Sequence, residues 1–200
     1  GVEFKTGHKS PAPPFTTSTL QQEASRKLGF SVGQTMTIAQ RLYESGLITY
    51  MRTDSVQLSK LALGTAKKVI KDTFGAEYCK TRQYATKSKG AQEAHEAIRP
   101  TFIENTSIEG TAAERKLYDL VWKRTVASQM ADAVTEKTSV KIGISTNKEE
   151  LTASGEVIKF DGFLKVYMES TDDETDEELG LLPQVAVDES LKYKVINAIQ

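Results

Sequence analysis

Tyr50 and Arg52 stand two apart in Gly46-Leu47-Ile48-Thr49-Tyr50-Met51-Arg52-Thr53-Asp54-Ser55, a β-branched and aromatic stretch that ends in short polar side chains. In an extended run, residues two apart leave the backbone on one side. A phenol beside a guanidinium that keeps its charge suits attack on a phosphate. A phenol needs help as a nucleophile, since with a pKa near ~10 it is mostly protonated at neutral pH. Transfer to phosphorus gathers negative charge on the non-bridging oxygens, and positioned cations are the expected catalysts there. Arg52 can supply that charge through two planar donors. His95 can contact phosphate when protonated or relay a proton, and Arg99 offers a second guanidinium. These two share a face if the centre of Ala91–Pro100 is helical. The bland reading stands beside this one. A strand tyrosine is usually packing, a lone histidine is usually a satisfied polar group, and Glu93 and Glu96 suit surface partners of His95. Chemistry alone leaves both open.

The elements that must position these residues announce themselves by caps and periodicity. Pro11-Ala12-Pro13-Pro14 is a stiff extended connector. Ser18 with Gln21 forms a capping box, Leu20, Ala24 and Leu28 recur at helical spacing, and Gly29 stops that helix. Ser31 with Gln34 opens a second helix whose stripe is Met36, Ala39, Leu42 and Tyr43, ending at Gly46. Two helices joined by Gly-Phe-Ser, with a strand behind them, read as a helix-turn-helix. That arrangement serves nucleic-acid binding and ordinary packing alike.

Asp54, Ser55 or Ser59 caps a third helix with Ala62, Ala66, Val69, Ile70 and Thr73 inside and Lys67, Lys68 and Lys71 outside. Cys79 to Gly90 reads as an exposed basic loop. Thr111 with Glu114 opens the strongest helix, carrying Leu117, Leu120 and Val121 with Tyr118, Trp122 and Val126 beside them. Beyond Val134 the texture becomes that of an antiparallel sheet. Val140, Ile142 and Ile144 alternate, and short runs follow around Val157, Phe160, Phe163–Val166, Val185–Val187 and Leu191–Val195. Glu169 to Glu178 carries seven acids and reads as a mobile loop.

The expected fold class is α+β: a helical domain over 12–133 inserted into an antiparallel β domain over 134–200, with 1–11 returning to the β domain as a strand. The 200 residues suffice for a core. The net charge of −1 hides a division: 22 Lys/Arg against 14 Asp/Glu over 1–148, then 4 against 13 over 149–200. Polyanion contact belongs to the first part, with a solvated surface as the alternative. The apolar runs are far too short for a membrane span, no signal-peptide pattern opens the chain, and the lone Cys79 excludes an internal disulfide and a cysteine-rich zinc site. A cytoplasmic setting is the expectation. No carboxylate pair has dependable metal-site spacing, and no glycine-rich phosphate loop occurs.

Four ordered blocks carry a resemblance. Pro14-Phe15-Thr16-Thr17-Ser18-Thr19-Leu20-Gln21-Gln22, Ala39-Gln40-Arg41-Leu42-Tyr43-Glu44, Gly46 to Ser55, and Ala94-His95-Glu96-Ala97-Ile98-Arg99-Pro100-Thr101 resemble the bacterial DNA topoisomerase I family, of type IA. Phe160-Asp161-Gly162-Phe163 is similar to a further family segment. Met51 before Arg52 favours this branch over topoisomerase III relatives, which tend to have proline there.

The resemblance implies that Tyr50 links to the 5′-phosphate of a broken DNA strand, that Arg52 contacts the scissile phosphate, and that His95 lies near the DNA backbone. Arg99, Gln40 and Glu44 would be further DNA-binding or supporting residues. It also implies a winged-helix-like tyrosine domain, a β domain in an arch, and single-stranded or negatively supercoiled DNA as partner. A monomer is expected. Mg²⁺ would be held by a Toprim domain that these residues do not contain, and no metal by the residues here. The 200 residues alone are accordingly expected to bind DNA weakly and not to cleave it. The competing expectation is a non-catalytic winged-helix module that binds nucleic acid through helix 33–45 and the basic loops.

Overall fold

The computed structural model describes residues 1–85, 96–146, 148–168 and 190. The chain divides into two compact units, one of Gly1–His8 with Val134–Lys159, the other of Lys9–Ala133 continued from Phe160.

The first unit is a three-stranded sheet in the order β1-β2-β3, with β1 at Val2–Lys9, β2 at Ala133–Gly143 and β3 at Glu150–Phe160. Gly1 and Lys141 exchange both main-chain hydrogen bonds, each 2.8 Å, the signature of an antiparallel pair. The same register brings Gly7 to Thr135, where a Cβ on Gly7 would meet Thr135 Oγ1 at 2.7 Å. Glycine is therefore required by close approach. Ile144 N–H donates to the Glu149 carbonyl across the β2–β3 turn, and Lys159 pairs with Glu136 at 3.0 Å. Val140 and Ile142 alternate as expected, whereas Ile144 lies beyond the strand end. The runs at 185–187 and 191–195 and the acidic stretch 169–178 lie outside the described residues.

The second unit is helical: α1 at Thr17–Leu28, α2 at Val32–Glu44, α3 at Lys60–Thr73 and α4 at Ala112–Ser128. α4 packs against all three others and buries Leu117, Tyr118, Leu120, Val121, Trp122 and Val126. Each fully buried aliphatic side chain contributes ~1.5–3 kcal/mol relative to exposure, so this helix anchors the core. Its Thr111–Glu114 capping box forms as expected. Burial pushes the Tyr118 hydroxyl up to about 12, and it donates to the Asn105 carbonyl at 2.5 Å.

Several expectations shift by small, explicable amounts. α1 is capped by Thr16, not Ser18: Thr16 Oγ1 accepts from Thr19 N–H, and Thr19 Oγ1 accepts from Thr16 N–H. A threonine at the third helical position competes with the later Ser18–Gln21 pairing and wins, and the helix starts earlier. The buried face of α2 is Thr35, Ile38, Ala39 and Leu42, so Tyr43 is turned outward and Met36 is only partly covered. Ser59 is the cap of α3, and Thr73 is exposed at its end.

Two strand readings are overturned, and the start of the basic loop is irregular as expected but held by several bonds. Residues around Ile48 form one bridge with Pro100 instead of a strand, and the chain from Thr49 to Ser59 is irregular. The start of the supposed exposed basic loop is pinned down: Cys79 bridges Met130, Lys80 N–H donates to the Gln129 carbonyl, and Lys80 and Arg82 both reach Asp132 at 2.6 Å. The run Phe163–Val166 is not a strand: Gly162–Lys165 is a single 3₁₀ turn, in which Gly162 takes a left-handed conformation (φ 51°) and Phe163 turns into the core. A buried polar group lies beneath that turn. Glu23 (1% exposed) accepts a hydrogen bond from Tyr167, and Arg124 (2% exposed) donates to the Pro13 carbonyl at 2.6 Å and to Tyr167 at 3.3 Å. The Arg124 guanidinium also lies 4.7 Å from the centre of the Phe15 ring.

Candidate active site

The segment that carries Tyr50 and Arg52 is gripped from two directions. On its N-terminal side, Thr49 Oγ1 donates to the Ala97 carbonyl at 2.7 Å and accepts from Arg99 N–H at 2.9 Å, while Thr49 N–H donates to the Arg99 carbonyl at 2.9 Å. On its C-terminal side, Thr17 Oγ1 donates to the Met51 carbonyl at 2.7 Å, with the Thr53 carbonyl at 3.1 Å, and accepts from Thr53 N–H at 2.9 Å. Between the grips Met51 is 1% exposed, and the side chains flanking it emerge into solvent. Tyr50 and Arg52 thus leave one side of the backbone, although the segment is not a strand. Side-chain clasps do the work that a ladder would do in a sheet.

Tyr50 is 43% exposed, and its ring meets that of Tyr43 edge-on at 5.1 Å and 65°. Arg52 lines two clefts. One, about 490 Å³, is bounded by Thr16, Thr17 and Ser18 at the start of α1 and by Thr53 and Asp54. The other, about 400 Å³, is bounded by Met36, Thr37, Gln40, Arg41 and Glu44 of α2. Gln40 and Glu44 thus border one cleft with Arg52, and Gln40 Nε2 donates to Glu44 Oε1 at 2.7 Å. The first turn of α1 holds no acidic side chain, so among the described residues the only carboxylate set against its positive dipole end in the lining of the first cleft is that of Asp54.

Arg99 sits elsewhere in character. Residues 97–100 are held by isolated bridges, Phe15 with Ile98 and Ile48 with Pro100, and Ala97 N–H donates to the Gln57 carbonyl. The Arg99 guanidinium holds Glu96 through two bonds of 3.0 and 2.7 Å, and donates to the Pro100 carbonyl at 2.9 Å. Glu96 also accepts from Ser59 N–H at 2.6 Å, which ties this stretch to the cap of α3. Burial would raise the Glu96 carboxyl, but the Arg99 and Ser59 bonds outweigh it and hold the group below the usual carboxylate range. His95 lies outside the described residues. Among the described residues, no three His, Cys, Asp or Glu side chains converge as metal ligands. No described helix is long and apolar enough to cross a membrane.

Thr17 and Thr49 escaped the sequence reading as site residues. Their partners lie 34 and 48 residues away, and the Thr16-Thr17-Ser18-Thr19 run registers only as a helix cap.

A family description of DNA topoisomerases matches residues 1–200. The chain belongs to the bacterial type IA DNA topoisomerase I family. The DNA topoisomerase 1 of Zymomonas mobilis is 51% identical over 182 residues, covering 90% of this chain and 15% of its own length. That of Streptomyces coelicolor is 51% identical over 207 residues, covering 98% of this chain and 22% of its own length. The structure of full-length topoisomerase I from Thermotoga maritima superimposes with a TM-score of 0.71 at 39% identity, over 86% of this chain and 29% of that one. The chain thus spans less than a third of each topoisomerase relative named here. Its mixture of helices and antiparallel sheet resembles the Thermotoga topoisomerase.

Proposed function

We propose that these residues are the tyrosine-bearing part of a topoisomerase that breaks and reseals one DNA strand without ATP. The observation that carries this reading is the exposed Tyr50 beside Arg52 on a segment clasped at both ends and flanked by clefts. Tyr50 Oη forms a bond to a backbone phosphorus while the bond from that phosphorus to the 3′ oxygen of the neighbouring nucleotide breaks. The phenol gives up its proton, and the departing 3′ oxygen takes one up. One phosphodiester is exchanged for another, so the reverse attack by the 3′ hydroxyl reseals the strand with no outside energy. Arg52 neutralises the non-bridging oxygens as charge gathers on them. Passage of a second strand between break and resealing relaxes negative supercoils.

His95 is proposed to lie at the same backbone. Gln40 and Glu44 border the path of the strand through the α2 cleft. Arg99 reaches DNA only by exchanging its Glu96 partner, and in the paired state it holds the stretch after His95 in place. We read the helical unit as winged-helix-like and inserted into the β domain of an arch, with 1–11, 12–133 and 134–200 as its parts. Single-stranded or negatively supercoiled DNA is the proposed partner of a monomeric, cytoplasmic enzyme. Mg²⁺, which adds positive charge beside a reacting phosphate when bound, is assigned to a Toprim domain beyond these residues. The isolated 200 residues are therefore proposed to bind DNA without cleaving it.

The test places residues 1–200 in the Streptomyces coelicolor enzyme in place of its corresponding segment. Tyr50→Phe is expected to abolish the covalent adduct with a single-stranded oligonucleotide, read on a denaturing gel, while binding persists. An undiminished adduct overturns the proposal, and a chimaera that binds DNA yet never forms an adduct with Tyr50 present favours a purely DNA-binding module.

A further inference from the structure

We infer that Thr17 is a positioning residue for Arg52, so that the start of α1 sets where the guanidinium meets the phosphate. The inference rests on the assignment of Tyr50 and Arg52 above. Arg52 is long, exposed and flexible, and its own backbone is irregular. A catalytic cation on such a segment is useful only if the segment is held, since a displacement of about 1 Å can cost ~100-fold in rate. Thr17 supplies the hold. Its hydroxyl takes the Met51 carbonyl and the Thr53 N–H, the main-chain groups immediately before and after Arg52, at 2.7 and 2.9 Å. Its own N–H, one of the four that open a helix without an intrahelical partner, donates to the Thr53 carbonyl at 2.9 Å. One residue thereby brackets Arg52 on both sides and ties it to the start of α1. Thr17 also lines the cleft that Arg52 enters, together with Thr16 and Ser18.

A valine at this position keeps the shape and the main-chain bond but loses the hydroxyl as donor and acceptor. A serine gives up the methyl but keeps the main-chain bond and the hydroxyl as donor and acceptor.

The experiment measures the adduct-forming rate of the Streptomyces chimaera with a single-stranded oligonucleotide, for Thr17→Val, Thr17→Ser, Arg52→Ala and the Thr17→Val/Arg52→Ala double variant, with melting curves for each. Thr17→Val is expected to lower the saturated rate roughly 10- to 100-fold, with KM for the oligonucleotide within about 3-fold and Thr17→Ser near the parent. In the Arg52→Ala background the same change is expected to cost less than about 2-fold, because what Thr17 positions is already gone. An equal loss in both backgrounds, a loss that Thr17→Ser does not recover, or a rate unaltered in Thr17→Val overturns the inference. If Tyr50→Phe still forms the adduct, the underlying assignment fails instead, and the two failures are thus distinguished.

Discussion

Glu96→Gln tests whether the stretch after His95 is held by charge or merely by shape. The carboxylate receives two bonds from Arg99 and one from Ser59 N–H, with the Arg99 side chain 11% and the Glu96 side chain 29% exposed. Hydrogen bonds to charged groups contribute ~1.5–3 kcal/mol when well covered. Exposed ion pairs contribute ~0–1 kcal/mol. The partial exposure here places the expected loss at about 1–2 kcal/mol, given that glutamine retains an acceptor for Ser59. For a chain of this length ~1 kcal/mol moves the melting temperature by ~2–4 °C, so Tm should fall by roughly 2–8 °C at pH 7.

The pH dependence has a definite sign. The folded-state value of Glu96 lies below the unfolded one, so its contribution is complete above the ordinary carboxylate value of ~4.3 and disappears as pH falls through the depressed value. Melting curves of parent and variant should therefore differ at pH 7 and converge as the pH is lowered beneath 4.3. Equal stability at neutral pH, or a gap that stays constant through the acid range, would refute the reasoning.

Two other changes probe how the segment from Phe160 docks. Tyr167→Phe removes the hydroxyl that donates to buried Glu23 and accepts from Arg124, and should cost about 2–3 kcal/mol in a denaturant titration, since it strips a bond from a charged group without solvent access. Gly162→Ala should cost more than Gly29→Ala: both glycines are left-handed, but a Cβ at 162 would lie 2.4 Å from the Asp132 carbonyl oxygen, whereas one at 29 meets nothing within 4 Å. The Gly29 change should lose ~1–2 kcal/mol, and equal losses at the two sites would contradict the close approach.

The helices of the second unit were legible because their signals are local. Ser31, Ser59 and Thr111 cap within three residues of themselves, and the inner faces of α3 and α4 follow the 3.6-residue period. Even the error at α1 is local, a choice between two threonine and serine caps two residues apart. Tyr50 and Arg52 were singled out through the resemblance that the ordered blocks around them carry; their chemistry alone favoured a structural role. The hold on them was not legible. It is written in pairings such as Thr17 with Met51–Thr53 and Thr49 with Ala97–Arg99, which join stretches distant in sequence and leave no periodic trace. The burial of Glu23 and Arg124 was invisible for the same reason, because each looks like a surface charge on its own helix.

The two threonine clasps also have a mechanical meaning. On the proposed function, a DNA end bonded to Tyr50 would pull on the protein whenever the strand is under tension, and an unsupported loop would stretch before transmitting that pull. Here the load path is short. Force entering at Tyr50 passes through Thr49 into the stretch 97–99 and through Thr17 into α1, which packs on α4 at the centre of the core. Under that proposal the attachment point would act as a mooring, and displacement of the DNA end would be passed to the helical unit.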